Sequence, residues 1–372
     1  MIKTPLKTAE SRYDVAIIGA GLIGLSSADA LSRRGLKVLV ADIANQVMQG
    51  TSFCNSGMIH PSQSWPWAQL ELSGDARLSA ARDVASLAAD SAAILKSRAA
   101  ELGLPQSRRS AGCLQLFRDD QARDKACSGF EAIGIAYERR SAGALFSDRP
   151  AVFFQGDASG NSYDYGGALA DDLRARGVDI ALGQGAALWQ EEGRVIGLRL
   201  GNRDIAATDV IMAAGMQSAR LASWAGLTLP MKRAVGWAVN FARPVLEPSG
   251  FDLPAYPVME VGFCAALTVF EDTVRLSGTI DLPDERGLLS LWGNIAPELM
   301  QCLDAPIGAP WRGERPMSLT GKPFIGRSSV PGLWLNTAHG HMGWTLCAGS
   351  AELLARMIAD GESDERFAAP KI

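Results

Sequence analysis

The sequence predicts an α/β chain in two parts, a parallel-sheet domain covered by helices and a second, discontinuous domain built on an antiparallel sheet. Three observations predict it. A β-branched run near the N-terminus leads through a glycine turn into a helical pattern. A second strand–loop–helix pattern lies near the C-terminus. Between them, residues 231–280 carry apolar runs parted by short turn signals rather than by helices.

Taken in order, Tyr13-Asp14-Val15-Ala16-Ile17-Ile18 reads as a buried parallel strand. Gly19-Ala20-Gly21-Leu22-Ile23-Gly24 follows at once, Leu25 to Arg34 reads as a helix stopped by Gly35, and Lys37 to Ala41 is a second strand closed by Asp42. In a Rossmann-type unit Gly19 permits the tight turn, Gly21 lets the backbone approach a pyrophosphate, and Gly24 allows close helix–strand packing. The helix N-terminus offers free N–H groups to the phosphates, and Asp42 is placed to accept hydrogen bonds from a ribose. Glycine turns between strand and helix are common. Here strand, glycines, helix, second strand and acid occur in order within about thirty residues, which predicts a dinucleotide site. An aspartate at this position leaves NAD and FAD both open.

Composition narrows the classes further. The chain has 372 residues, 47% hydrophobic and 20% charged, with 36 Lys plus Arg against 40 Asp plus Glu. A net charge of −4 argues against a nucleic-acid surface, which needs concentrated positive charge. The longest apolar run, Val261 to Phe270, is well short of the roughly eighteen residues of a bilayer span. Residues 1–12 are polar and lack the apolar stretch of a secretory signal. Cys54, Cys113, Cys127, Cys264, Cys302 and Cys347 include no pair at CxxC spacing, so no metal centre is expected and reduced thiols in a cytoplasmic protein are the simpler reading.

Beyond the second strand lies Gly50-Thr51-Ser52-Phe53-Cys54-Asn55-Ser56-Gly57-Met58-Ile59, a loop able to bond a phosphate or flat heterocycle through its backbone. Near the C-terminus come Gly313-Glu314-Arg315-Pro316-Met317, the apolar run Leu333-Trp334-Leu335, the loop Asn336 to Thr345, and an amphipathic helical pattern from Leu346 to Ala359. Together with Gly112 to Arg118 and Gly156 to Gly160, these segments resemble the D-amino-acid-oxidase-like superfamily of FAD proteins over nearly the whole chain. Within it they most resemble the small-subunit type of bacterial D-amino acid dehydrogenase and the flavin subunits of D-hydroxyproline dehydrogenase and opine oxidase. The chain is shorter than the usual D-amino acid dehydrogenase, between Phe241 and Gly308.

The resemblance implies FAD as cofactor, with residue roles. Ile18, Gly19, Ala20, Gly21, Leu22, Ile23, Gly24, Asp42 and Ile43 would hold the ADP half, and Ala186 would meet the adenine. Thr51, Ser52, Asn55, Ser56, Gly57, Met58 and Ile59 match contacts to the pyrophosphate and isoalloxazine. Ala213, Ala214 and Gly215 would close over the cofactor. Gly313, Arg315, His339, Gly340, His341, Met342, Gly343, Trp344 and Thr345 would surround the flavin end, with a helix N-terminus stabilising charge on the reduced ring.

For the substrate, the resemblance implies that Arg315 grips a carboxylate, for which a planar, permanently charged fork is suited. His341 is read as a hydrogen-bonding support or a base. Phe263 falls where some relatives carry a substrate-facing tyrosine, although a core residue of the run 261–270 is an equal reading. Met58, His60, Trp65 and Trp344 are further pocket candidates by position alone, and no general base is assigned. The implied reaction is oxidative deamination of an amino or imino acid, with hydride passing from the α-carbon to flavin N5. The electron acceptor would be a quinone or a partner subunit, the latter in a multi-subunit opine or hydroxyproline enzyme; a quinone acceptor would put the protein peripherally at the inner membrane. A non-catalytic FAD-binding module is the remaining class.

The expected domains are 1–85, 155–225 and 312–372 for FAD, and 86–154 and 226–311 for substrate. Leu78 to Leu102 predicts a helix. Met231–Phe241, Val258–Phe270 and Val274–Ile280 predict antiparallel strands with a hairpin turn at 270–274, and Leu282–Gln301 a loop and helix over the substrate. Pro244–Pro257 is the most linker-like piece and a plausible lid.

Overall fold

The computed structural model describes residues 12–66, 72, 74–104, 111–244, 252–278 and 283–370. Residues 245–251, half of the 244–257 segment, and Leu282 therefore lie outside the described residues, as do residues 1–11 and Ile280. In chain order, β1 (Arg12–Ile18), α1 (Leu22–Ser32) and β2 (Val38–Ala41) form the first unit, and β3 (Met58–Ile59) follows the loop. Next come α2 (Gly74–Glu101), β4 (Ala111–Leu116), α3 (Asp120–Ala132), β5 (Glu138–Ser141), β6 (Pro150–Ser159) and α4 (Ser162–Ala175). The middle of the chain is β7 (Asp179–Ala181), β8 (Ala186–Glu191), β9 (Arg194–Leu200), β10 (Arg203–Met212) and α5 (Gln217–Trp224). Then follow β11 (Met231–Ala242), β12 (Val258–Glu260), β13 (Ala265–Val269), β14 (Thr273–Gly278), α6 (Glu285–Ile295) and α7 (Pro297–Cys302). The last elements are β15 (Trp311–Ser318), β16 (Phe324–Arg327), β17 (Leu333–Thr337) and α8 (Gly343–Ala355).

Among the described residues the strands form two sheets. The first runs β16-β17-β10-β1-β2-β7, parallel from β17 to β7, with β9 and β8 extending it antiparallel from β10. Its central strand β1 has both faces buried from Val15 to Ile18, as a parallel sheet between helical layers requires. The glycines do what the motif demands. Gly19 has φ +116° and a Cβ there would lie 2.4 Å from Ala213 O, while a Cβ at Gly24 would lie 1.8 Å from Gly19 O. No other residue fits this strand-to-helix turn.

The second sheet runs β15-β11-β14-β13-β12-β4-β6-β3, with β5 on β6, and is antiparallel except at β12–β4. Side chains alternate between its faces. Val239, Leu276, Leu267, Val258 and Leu114 lie opposite one another on one face and pack under Leu288, Trp292 and Leu299 of α6 and α7. The other face presents Ala238, Ser277, Ala266, Met259 and Gln115 toward the loop after β2. The helices expected over the substrate therefore cover the face opposite Arg315.

Two further expectations are corrected by the packing. Val258–Phe270 is not one strand but β12, a turn at 261–264 and β13, reversed where Cys264 takes φ +50°. The helix of residues 346–359 starts at Gly343 and is buried on nearly every side rather than amphipathic, because it lies between α1 and α2. The two sheets do not divide the strands by a single cut in sequence. Residues 58–59 and 311–318 join the antiparallel sheet, residue 85 lies inside α2, and residue 154 lies inside β6. Strand patterning reports a period, not which sheet a strand joins.

Candidate active site

The loop from Gly50 to Gln63 lies between the two sheets and is fastened to both. On the first side Leu22 N donates to Ser52 Oγ at 3.1 Å, and His60 N donates to Thr345 Oγ1 at 3.0 Å. On the second, Thr51 Oγ1 donates to Glu314 O at 2.6 Å, Thr268 Oγ1 to Ser56 O at 2.7 Å, and Arg275 Nη1 to Asn55 O at 2.8 Å. Arg275 is itself oriented by Asn240 Oδ1 at 2.8 Å. These three anchors were not legible in the sequence, since each joins the loop from more than two hundred residues away.

The residues expected to hold a dinucleotide surround this loop. The N-termini of α1 and α8 both lack a side-chain cap, and the two helices pack on each other. Apart from Leu22 N, which Ser52 takes, the N–H groups of such helix ends suit an anion. Asp42 accepts from Ala20 N at 2.7 Å and Ala44 N at 2.9 Å, one bond per oxygen, which leaves lone pairs for a ribose hydroxyl. Ile43 is exposed beside Gly185, the residue before Ala186. Ala213 and Ala214 follow β10, and Gly215 turns with φ +56°. Several buried polar atoms around the far end have no hydrogen-bond partner: His60 Nδ1, His339 Nε2 and Ser277 Oγ. Such orphans are costly unless a ligand meets them, and His339 Nε2 and Ser277 Oγ fit the polar edge of an isoalloxazine.

Arg315 sits on the edge strand β15 with Gly313, on the face turned to the loop. The residue is partly exposed but its Nη1 is buried, and burial pushes its pKa down. Its guanidinium lies over Gly236, where a Cβ would come within 2.4 Å of Nη1. Met317, two residues on, bridges to His339, which brings the loop 339–342 beside this strand. His341 Nε2 meets Gln63 O at 3.0 Å. A carbonyl only accepts, so Nε2 carries the proton and Nδ1 is an acceptor. The His60 and His341 ring centroids are 6.2 Å apart. Burial and the Arg315 charge hold His60 down at about 4, and burial, His60 and Arg315 hold His341 at about 3. Both imidazoles are therefore neutral at physiological pH.

The remaining candidates lie as follows. Trp344 is in the hydrophobic core, its ring 5.0 Å from that of Tyr165, because α8 begins early and turns that side chain toward α4. Met58 packs in a small apolar cluster with Cys113, Met259 and Ala266. Phe263 is 59% exposed at the tip of the 261–264 turn and is no core residue. Met342, Thr345 and Ile59 are buried beneath the loop, while Gly340 and Gly343 shape its turn.

The whole arrangement matches a known family. The model for "FAD dependent oxidoreductase", the DAO family, matches residues 14–357. The chain belongs to this family, and its cofactor is FAD. D-amino acid dehydrogenase of Cereibacter sphaeroides is 28% identical over a 424-residue alignment covering 96% of each chain. That of Methylobacterium nodulans is 29% identical, covering 92% of this chain and 94% of its own. Among solved structures, glycine oxidase from Geobacillus kaustophilus superposes with a TM-score of 0.78 at 20% identity, over 97% and 99% of the chains. L-proline dehydrogenase from P. horikoshii superposes at 0.76 with 18% identity, over 96% and 97%. Among the described residues of this FAD-dependent oxidoreductase, no helix is long and apolar enough to cross a membrane.

Proposed function

We propose that this enzyme oxidises the Cα–N bond of an amino or imino acid, as its relatives' name, D-amino acid dehydrogenase, suggests. The observation that carries the reading is the Arg315 guanidinium, with Nη1 buried, seated over Gly236 and facing the loop that lies between the sheets. A carboxylate held there in a dry site gains from a bidentate, charge-assisted pair and has its α-carbon fixed for one face of reaction. FAD supplies the hydride acceptor when bound.

The chain's own residues do the rest. Arg315 orients the acid, and the neutral His60 and His341 offer acceptors without adding charge. The same burial and positive charge favour a neutral amine over an ammonium, which is the form that can release hydride from carbon. His341 acts as a support held on Gln63, not as a reservoir for protons. A quinone or a protein acceptor, rather than oxygen, fits a dehydrogenase and would reoxidise the flavin.

Anaerobic absorbance of the yellow holoenzyme tests this directly. A D-amino acid, a D-proline analogue or an opine bleaches the flavin band, and an artificial quinone restores it. A flavin band that no amino or imino acid bleaches would overturn the reading.

A further inference from the structure

The turn 60–63 is held more firmly than its length requires. Ser62 N donates to Asp157 Oδ1 at 3.1 Å, Ser62 Oγ donates to Asp157 Oδ2 at 2.5 Å, and Gln115 Nε2 donates to Ser62 Oγ at 3.0 Å. All of these side chains are buried. On either side of Ser62, His60 N is bonded to Thr345 and Gln63 O to His341. Yet His60 Nδ1, at the centre of this bracing, is buried with no hydrogen-bond partner. A buried acceptor left unpaired is costly, so a turn pinned from β4, β6 and α8 around one points to a ligand atom.

We propose that His60 accepts a hydrogen bond from the substrate's amino group, across from the carboxylate on Arg315, and that Asp157 is a positioning residue that holds His60 through Ser62. The inference rests on the amino or imino acid oxidation proposed above. The ring proton then sits on Nε2 and Nδ1 is the acceptor. The substrate ammonium releases one proton to solvent as it binds, because His60, held at about 4, keeps none. One N–H then donates to Nδ1. On oxidation the α-hydrogen leaves with its electron pair to the flavin, and the nitrogen lone pair becomes the C=N bond of the iminium. Primary and secondary amines both keep an N–H for His60; a tertiary amine has none.

The test is an anaerobic titration of the holoenzyme with a D-amino acid that reduces it and with the matching carboxylic acid that lacks the amino group, read from the flavin spectrum. His60→Leu is expected to lower kcat/KM for the amino acid about 10- to 100-fold while leaving the binding constant of the des-amino acid within about threefold. His60→Gln, which keeps an acceptor, recovers part of the loss. Asp157→Asn and Ser62→Ala each give a smaller loss of the same kind, and neither adds to His60→Leu, as expected for residues acting through it. Equal weakening of both ligands, an unchanged amino acid, or full additivity of Asp157→Asn with His60→Leu overturns the proposal. If His60→Leu fails to fold, the His60→Gln and Asp157→Asn titrations decide alone. A wild-type holoenzyme that no amino or imino acid reduces instead fails the function itself, and the proposal falls with it.

Discussion

A Cβ at Gly236 would lie 2.4 Å from Arg315 Nη1, 2.6 Å from Nη2 and 2.7 Å from Cζ. The guanidinium therefore occupies the space that any side chain on that residue would need, and Gly236 sets where the carboxylate clamp sits. The backbone there is ordinary strand, with no positive φ, so alanine fits the main chain and conflicts only with Arg315. Gly236→Ala is expected to lower kcat/KM about 10- to 100-fold through misplacement of the clamp. Because the backbone is unstrained, the melting temperature should stay within a few degrees of wild type; steady-state kinetics beside a thermal melt separate the two. A variant with wild-type kcat/KM would show that the guanidinium has another seat. Arg315 was legible in the sequence because its motif is local, with Gly313 and Pro316 beside it. Gly236 was not, since its role exists only where β11 meets β15, in the register Gly236 opposite Gly313. His60 was legible only by its place in the loop; the bracing around it was not, since Thr345 bonds His60 N while Asp157 and Gln115 bond Ser62, from separate strands and helices.

Elements show where local patterning suffices and where it fails. The β1–α1–β2 unit was readable because its strand, glycines, helix and acid are contiguous, and a parallel strand buried on both faces has a distinct composition. The run 258–270 was misread as one strand because a tight turn of apolar residues leaves no polar punctuation. What holds that turn is not apolar. Glu260 is 2% exposed, accepts from Phe263 N at 2.8 Å, and pairs with Arg149 at 2.9 Å. A carboxylate this buried depends on its partner. Arg149→Ala is expected to destabilise the protein by about 3 kcal/mol, since it strands the Glu260 charge, and to loosen the turn that carries Phe263 and Cys264 beside Arg315. Urea denaturation of the holoenzyme measures the first effect. The double variant Arg149→Ala, Glu260→Gln should regain part of the loss, because removing both charges removes the unpaired one. A double variant no more stable than the single would show that the pair is a surface decoration.

Across the whole molecule, the buried titratable groups at the meeting of the two sheets set a pH dependence with a definite sign. The chain has three histidines, and all are held below the usual 6.5: His60 at about 4, His339 at about 3 and His341 at about 3. The unfolded chain takes up these protons near pH 6.5, whereas the folded protein refuses them until pH 3 to 4. Each histidine therefore contributes stability that is present above pH 6.5 and lost on acidification, at up to about 1.4 kcal/mol per pH unit. Asp157 opposes them. Burial raises it from 3.8 to about 7, so between pH 4 and 7 the folded protein holds a proton that the unfolded chain has released, and its contribution falls as pH rises through that window. At pH 5 the histidines outnumber it three to one, and the net slope is toward stability at higher pH. Urea midpoints measured from pH 7.5 down to pH 5 should fall steeply below about 6.5. Asp157→Asn removes the one opposing group and should make the fall steeper, so a variant with a shallower profile than wild type would reverse the assigned sign. The same groups that tie function to a dry, neutral site beside Arg315 thus make acid the condition under which the two sheets lose their hold on the loop between them.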